Sequence, residues 1–201
     1  MNKPEKPTPS KLTGLFFGSF NPIHFGHLCI AEFLVEFGGL KEVWFIVSPH
    51  NPLKDKATLL SDQYRLEMVE AAIENDERFR VSDIEFRMPR PSYTIDTLAR
   101  LSEQHPDRQF VLIAGTDVLP SFHKWKNYEQ LLDQYRLMIY PRHGDEDHPL
   151  LSHPSITVVN APRIEISASF IREAIKNGKN IRYFLPDKVM KIIEKMGFYL
   201  R

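Results

Sequence analysis

One cysteine, Cys29, stands among 201 residues. A single thiol excludes an internal disulfide framework and fits a reducing compartment. Charge of either sign is not in excess: 26 basic and 26 acidic side chains give a formal net charge of zero. A chain built to grip a polyanion carries a basic surplus, so nucleic acid is disfavoured as a partner, while a local cationic pocket stays open. No apolar run reaches about 18 residues, the length that a membrane-spanning helix requires. The opening "MNKPEKPTPSK" holds three prolines and no apolar stretch. That excludes a signal peptide, and residues 1–11 read as a flexible leader. Together these absences predict a cytoplasmic protein with no membrane partner. What remains is ordinary globular composition, 42% hydrophobic and 26% charged. It suits a single domain over residues 12–201, ending in a helical part.

Strand-like and helix-like segments alternate along that domain. "LTGLFF", "VWFIVSP", "FRVSDIEF", "QFVLIAG", "RLMIYPR" and "ITVVNAP" read as strands, several of them buried on both faces. "HFGHLCIAEFLVEF" places His27, Ile30, Ala31 and Leu34 at helical spacing. "SDQYRLEMVEAAIEN" does the same for Tyr64, Met68, Ala71 and Ala72, with Ser61 or Asp62 as N-cap. Further helices are predicted from Thr94, from "SASFIREAIKNG" closing at Gly178, and from "PDKVMKIIEKMG" stopping at Gly197. Residues 142–155 read as an irregular, mobile surface loop. Buried strands separated by helices imply an α/β fold: a Rossmann-like, doubly wound parallel sheet with helices on both faces. Ligands of such sheets sit beyond the carboxyl ends of the strands.

"FFGSFNPIHFGHL", residues 16–28, lies at such an end, between the first strand and the first helix. Gly18 permits a sharp turn and a close ligand. His24 and His27 lie one helical turn apart, beside the free amides and positive dipole end of the helix. Imidazole donors, backbone donors and a dipole all suit a phosphate. The pair alone leaves a metal site or plain packing open, although zinc needs further ligands at recognisable spacing. The loop is neither a Walker A motif nor GxGxxG.

"GSFNPIHFGHL" resembles the HxGH signature of the nucleotidyltransferases, and "ISASFIR", residues 166–172, resembles their second signature, ISxxxIR. "SPHNPLK", "PSYTIDTL", "AGTDVLPSFHKW" and "IRYFLPDKVMKII" are similar to segments of the bacterial nicotinate-nucleotide adenylyltransferases. The resemblance runs from about residue 12 to the C-terminus. It implies adenylyl transfer from ATP to nicotinate mononucleotide, giving deamido-NAD (nicotinate adenine dinucleotide) and pyrophosphate, a step of NAD biosynthesis. Magnesium is expected to accompany ATP, with no dedicated protein metal site. Homo-oligomerisation is left open. A related enzyme with another acceptor phosphate is the second reading, and a non-catalytic nucleotide sensor the third.

The resemblance also implies roles. His24, His27 and Arg172 are the expected catalytic residues, with His27 nearer the reacting α-phosphate. ATP would meet Gly18, Ser19, Phe20, His24, His27, Lys54, Ile166, Ser167 and Arg172. Nicotinate mononucleotide would meet Asn21, Thr94, Gly115, Asp117, Trp125 and Arg142, with the indole stacking on the pyridine. Lys126 stands where the family is frequently aromatic, and its charge is expected to favour the acid form of the pyridine over the amide.

Overall fold

A computed structural model describes residues 12–49, 59–142 and 147–200. The leader expected over 1–11 lies outside them. Six strands are present: β1 Leu12–Gly18, β2 Glu42–Val47, β3 Phe79–Ser82, β4 Gln109–Gly115, β5 Arg136–Tyr140 and β6 Ile156–Val158. Seven α-helices accompany them: α1 Phe25–Glu36, α2 Asp62–Ile73, α3 Thr94–Gln104, α4 Leu119–Phe122, α5 Tyr128–Gln134, α6 Ala168–Lys176 and α7 Asp187–Met196. The strands form one sheet in the order β3-β2-β1-β4-β5-β6. Every neighbouring pair is parallel.

The period of two along each strand divides the core between two faces. Phe16, Phe45, Val111 and Ile113 point to one side, where they pack with α1, α2, α6 and α7 through Leu34, Val69, Ile171 and Val189. Leu15, Trp44, Leu112 and Leu137 point to the other, against α3, α4 and α5 through Leu98, Phe122 and Leu131. Both faces being covered explains why the strands read as apolar runs without alternation. The two clusters contain no residue in common, so each face holds its helices independently.

The chain leaves β1 outward through β2 and β3, then returns to the other side of β1 for β4. Strand order therefore reverses between β1 and β4, and a crevice opens beyond their carboxyl ends. Gly18 is paired with Val47, and Gly115 with Tyr140, so four strand exits share that edge.

Three expectations need adjustment. On α2 the buried side chains are Arg65, Leu66, Met68, Val69 and Ile73, with Tyr64, Ala71 and Ala72 only half-buried. An arginine on the inner face rotates the buried stripe away from the purely apolar one. The strand read over "FRVSDIEF" ends at Ser82, because the chain then turns through a 3-10 helix, Ile84–Arg87, that buries Ile84 and Glu85. The loop expected over 142–155 contains a 3-10 turn at Pro149–Ser152, where the His148 ring accepts a hydrogen bond from the Leu150 amide. Among the described residues no helix is long and apolar enough to cross a membrane.

Candidate active site

The turn from β1 into α1 sets the first part of the site. Phe20 turns the chain at a positive φ of 44° and buries its ring between Phe16, Phe45 and His27. A Cβ on Gly18 would lie 2.8 Å from that ring, which is why the position is bare. Phe20 is only 2% exposed, so its backbone rather than its ring faces a ligand. Ser19 lies half-buried beside it.

His24 is the N-cap of α1 and His27 occupies its first turn. Their rings stack with centroids 3.8 Å apart and planes 25° from parallel. His24 is 3% exposed, and its Nδ1 has no hydrogen-bond partner among the described residues. Burial, with the positive charge of Arg142 second, lowers its pKa to about 3. The ring is therefore neutral at physiological pH. A neutral imidazole carries one N–H, which it can offer to a phosphate oxygen.

Gly26 explains the middle of the HFGH sequence. A Cβ there would lie 2.9 Å from His24 Nδ1 and 3.3 Å from the carbonyl oxygen of Ile166. The bare residue lets the segment before α6 approach the histidine pair. Ser167 then caps α6, accepting the Phe170 amide at 3.1 Å. Arg172, one turn further, donates from Nη1 to the Asn21 carbonyl at 2.8 Å. Residues from the two ends of the sequence thus converge on one loop.

Asn21 is used structurally: its Oδ1 accepts from the Tyr199 hydroxyl at 2.8 Å and from the Leu60 amide at 3.3 Å. The expectation for Lys54 lies outside the described residues. Beyond β4, a Cβ on Gly115 would collide with the Asp117 carboxylate and lie 2.7 Å from Arg142 Cδ. Arg142 pairs with Asp117 at 3.3 Å. Its backbone N–H and C=O both bond the Thr116 hydroxyl, at 2.9 and 3.0 Å. The charge of Arg142 also acts on His24. A pocket of about 180 Å³ lies alongside, lined by Pro141, Arg142, Arg163, Ile164 and Glu165.

Thr94 is the first residue of α3, with Tyr93 as N-cap. Trp125 is half-buried, with its ring centroid 5.1 Å from that of Phe122. The two segments are bridged by Lys126. Its ammonium contacts the Asp96 carboxylate at 2.8 and 3.1 Å and lies 4.9 Å from the Tyr93 ring centroid. The lysine whose charge was expected to meet the pyridine thus has a carboxylate partner.

Sequence reasoning missed the packing role of Gly26, the buried Arg65 and the link from Tyr199. Arg65 left one signal, a charged residue flanked by apolar neighbours on an otherwise inward stripe. Tyr199 left none, because it follows the last helix and its partner lies 178 residues earlier.

A parallel sheet with a histidine pair at its first helix and an arginine returning from a late helix defines a nucleotidyltransferase. The cytidylyltransferase-like family model matches residues 15–174. A probable nicotinate-nucleotide adenylyltransferase of Flavobacterium johnsoniae is 51% identical over 188 residues, covering 92% of this chain and 97% of that one. One from Bacteroides fragilis is 51% identical over 181 residues, covering 90% of each. The chain belongs to the cytidylyltransferase-like family and, within it, to the nicotinate-nucleotide adenylyltransferases. The solved Plasmodium falciparum nicotinic acid mononucleotide adenylyltransferase complexed with NaAD shares the fold, with a TM-score of 0.79 at 20% identity. That match covers 94% of this chain and 97% of the other.

Proposed function

We propose that this chain transfers the adenylyl group of ATP to the phosphate of nicotinate mononucleotide, releasing pyrophosphate. The observation that carries the reading is the convergence of His24, His27 and Arg172 on residues 19–21 at the strand-order reversal. A phosphate oxygen of the mononucleotide attacks the α-phosphorus of ATP. A new P–O bond forms as the bond from that phosphorus to the α–β bridging oxygen breaks, and the electron pair leaves with pyrophosphate. The nucleophile is already ionised, so no general base is needed. Magnesium enters as part of the MgATP substrate and offsets triphosphate charge.

The protein's part is placement and electrostatics. His24 and His27 offer N–H groups at the N-terminus of α1 where negative charge builds on the α-phosphate. Arg172, anchored through Nη1 by the Asn21 carbonyl and through Nη2 by the Ser169 hydroxyl, presents its remaining donors to the triphosphate. Ser167 and the first amides of α6 form a second anion-binding helix start. Arg142 lies between the reacting phosphates, while Asp117 accepts from ribose hydroxyls. Thr94 and the indole of Trp125 hold the pyridine.

The test is pyrophosphate release from MgATP with nicotinate mononucleotide, nicotinamide mononucleotide or phosphopantetheine, with His27→Ala as control. Release mainly with the nicotinate compound, lost in the control, is expected. Release only with another acceptor would refute the assignment of Thr94 and Trp125.

A further inference from the structure

Among the described residues three charged side chains outside the substrate-facing set are almost wholly removed from solvent. Glu42, at the start of β2, is ion-paired with Arg80 and Arg108. The other two are Arg65 at 0% and Glu85 at 2% exposure. Neither forms an ion pair with the other. Burying a charge is tolerated only where hydrogen bonds replace water, so the partners reveal what each charge does.

All five N–H groups of the Arg65 guanidinium have an acceptor. Nε donates to the Leu60 carbonyl at 3.0 Å. Nη1 donates to the carbonyls of Ser19 at 2.6 Å and Ser48 at 2.8 Å. Nη2 donates to the carbonyl of Pro49 at 3.1 Å and to Asp62 Oδ1 at 2.7 Å. Four of the five acceptors are backbone groups, drawn from the exit of β1, the exit of β2 and the approach to α2. A planar five-donor fork can satisfy all five acceptors at once, and a three-donor ammonium cannot.

Glu85 lies in the 3-10 turn Ile84–Arg87, after β3. Its Oε1 accepts from the Thr97 hydroxyl at 2.8 Å and its Oε2 from the Ser92 hydroxyl at 3.0 Å. Ser92 and Thr97 bracket Thr94 at the start of α3. Ser48 belongs to the Arg65 arm: its carbonyl accepts from Arg65, and its amide donates to the Gly18 carbonyl at 2.9 Å.

We propose that Arg65 and Glu85 are positioning residues that divide the two substrates between them, Arg65 setting the triphosphate loop at Ser19 and Glu85 setting the acceptor segment around Thr94. The assignment of each arm to a substrate rests on the adenylyltransferase reading above. Neither residue touches the reacting atoms. Each acts on a loop whose displacement by about 1 Å is enough to slow the reaction about 100-fold.

The experiment measures, on the full chain by calorimetry, the separate affinities of a non-reacting MgATP analogue and of nicotinate mononucleotide. Arg65→Lys is expected to weaken the ATP analogue about tenfold or more and leave nicotinate mononucleotide within about twofold. Glu85→Gln and Ser92→Ala are expected to do the reverse, since Ser92→Ala removes a hydroxyl that bonds Glu85 and touches none of the acceptors that Arg65 holds. If Arg65→Lys fails to fold, Asp62→Asn, which removes one carboxylate charge from the guanidinium, takes its place. Equal weakening of both ligands in these variants, or no weakening of either, overturns the proposal, because a merely structural role does not choose between ligands. A wild-type chain that binds the ATP analogue but not nicotinate mononucleotide would refute the substrate reading instead. The Arg65 arm is then still decided by ATP affinity.

Discussion

Acid should unfold this protein in part through one histidine. His24 is 3% exposed, and its folded pKa is lowered to about 3 from 6.5, by burial first and by the charge of Arg142 second. Between those two values the unfolded chain binds a proton that the folded chain refuses. Stability therefore rises with pH through this window, is fully present above it, and falls as the solution is acidified. One pKa unit corresponds to about 1.36 kcal/mol. At pH 5 the unfolded state gains about 2 kcal/mol from this group alone relative to pH 7. The assay is urea unfolding without nucleotide at pH 7, 6 and 5, comparing wild type with His24→Asn. The variant should lose about 2 kcal/mol less stability than wild type between pH 7 and 5. The difference between the two proteins is what counts, because Glu85 acts the other way. Burial raises its pKa, so the folded state takes up that proton first and gains from acidification. Parallel stability curves for the two proteins would refute the buried, neutral His24.

Further outcomes follow from the same geometry. Gly26→Ala places a methyl 2.9 Å from His24 Nδ1 and 3.3 Å from the Ile166 carbonyl; kcat/KM should fall about 100-fold while the fold loses about 1–3 kcal/mol by denaturant melting. Trp125→Ala should raise KM for nicotinate mononucleotide up to about tenfold with kcat little changed, measured at saturating ATP. Lys126→Ala removes a pair whose side chains are 42% and 43% exposed. Stability should therefore change by less than about 1 kcal/mol. The preference for nicotinate over nicotinamide mononucleotide should narrow, and an unchanged ratio would show that the charge is spent on Asp96.

The parallel sheet was legible because strands buried on both faces lose alternation and become short apolar runs. β2, for example, is buried at every one of its positions. The histidine turn was legible because Gly18, His24, Gly26 and His27 are residue types that such a run does not need. Local rules also placed the helix stops at Gly178 and Gly197, whose φ of 65° and 63° are left-handed. What escaped was long-range. The position of Arg65 depends on carbonyls in three loops, and a carbonyl carries no sequence signature. Glu85 reads as an ordinary acid in "DIEF" until Ser92 and Thr97 fold over it. α4 and α5, of four and seven residues, offer too few turns for a period to emerge.

The hydrogen bonds on Asn21 have a consequence for how the protein is made. Its carbonyl is held by Arg172, 151 residues later, and its side chain by Tyr199, 178 residues later. The ribosome therefore delivers the turn after β1 well before the two side chains that fasten it. A nascent chain can pair β1 with β2 early, but the turn stays half-secured until α6 and Tyr199 have emerged. A nucleotide present during synthesis meets the fastened turn only once residue 199 has left the ribosome.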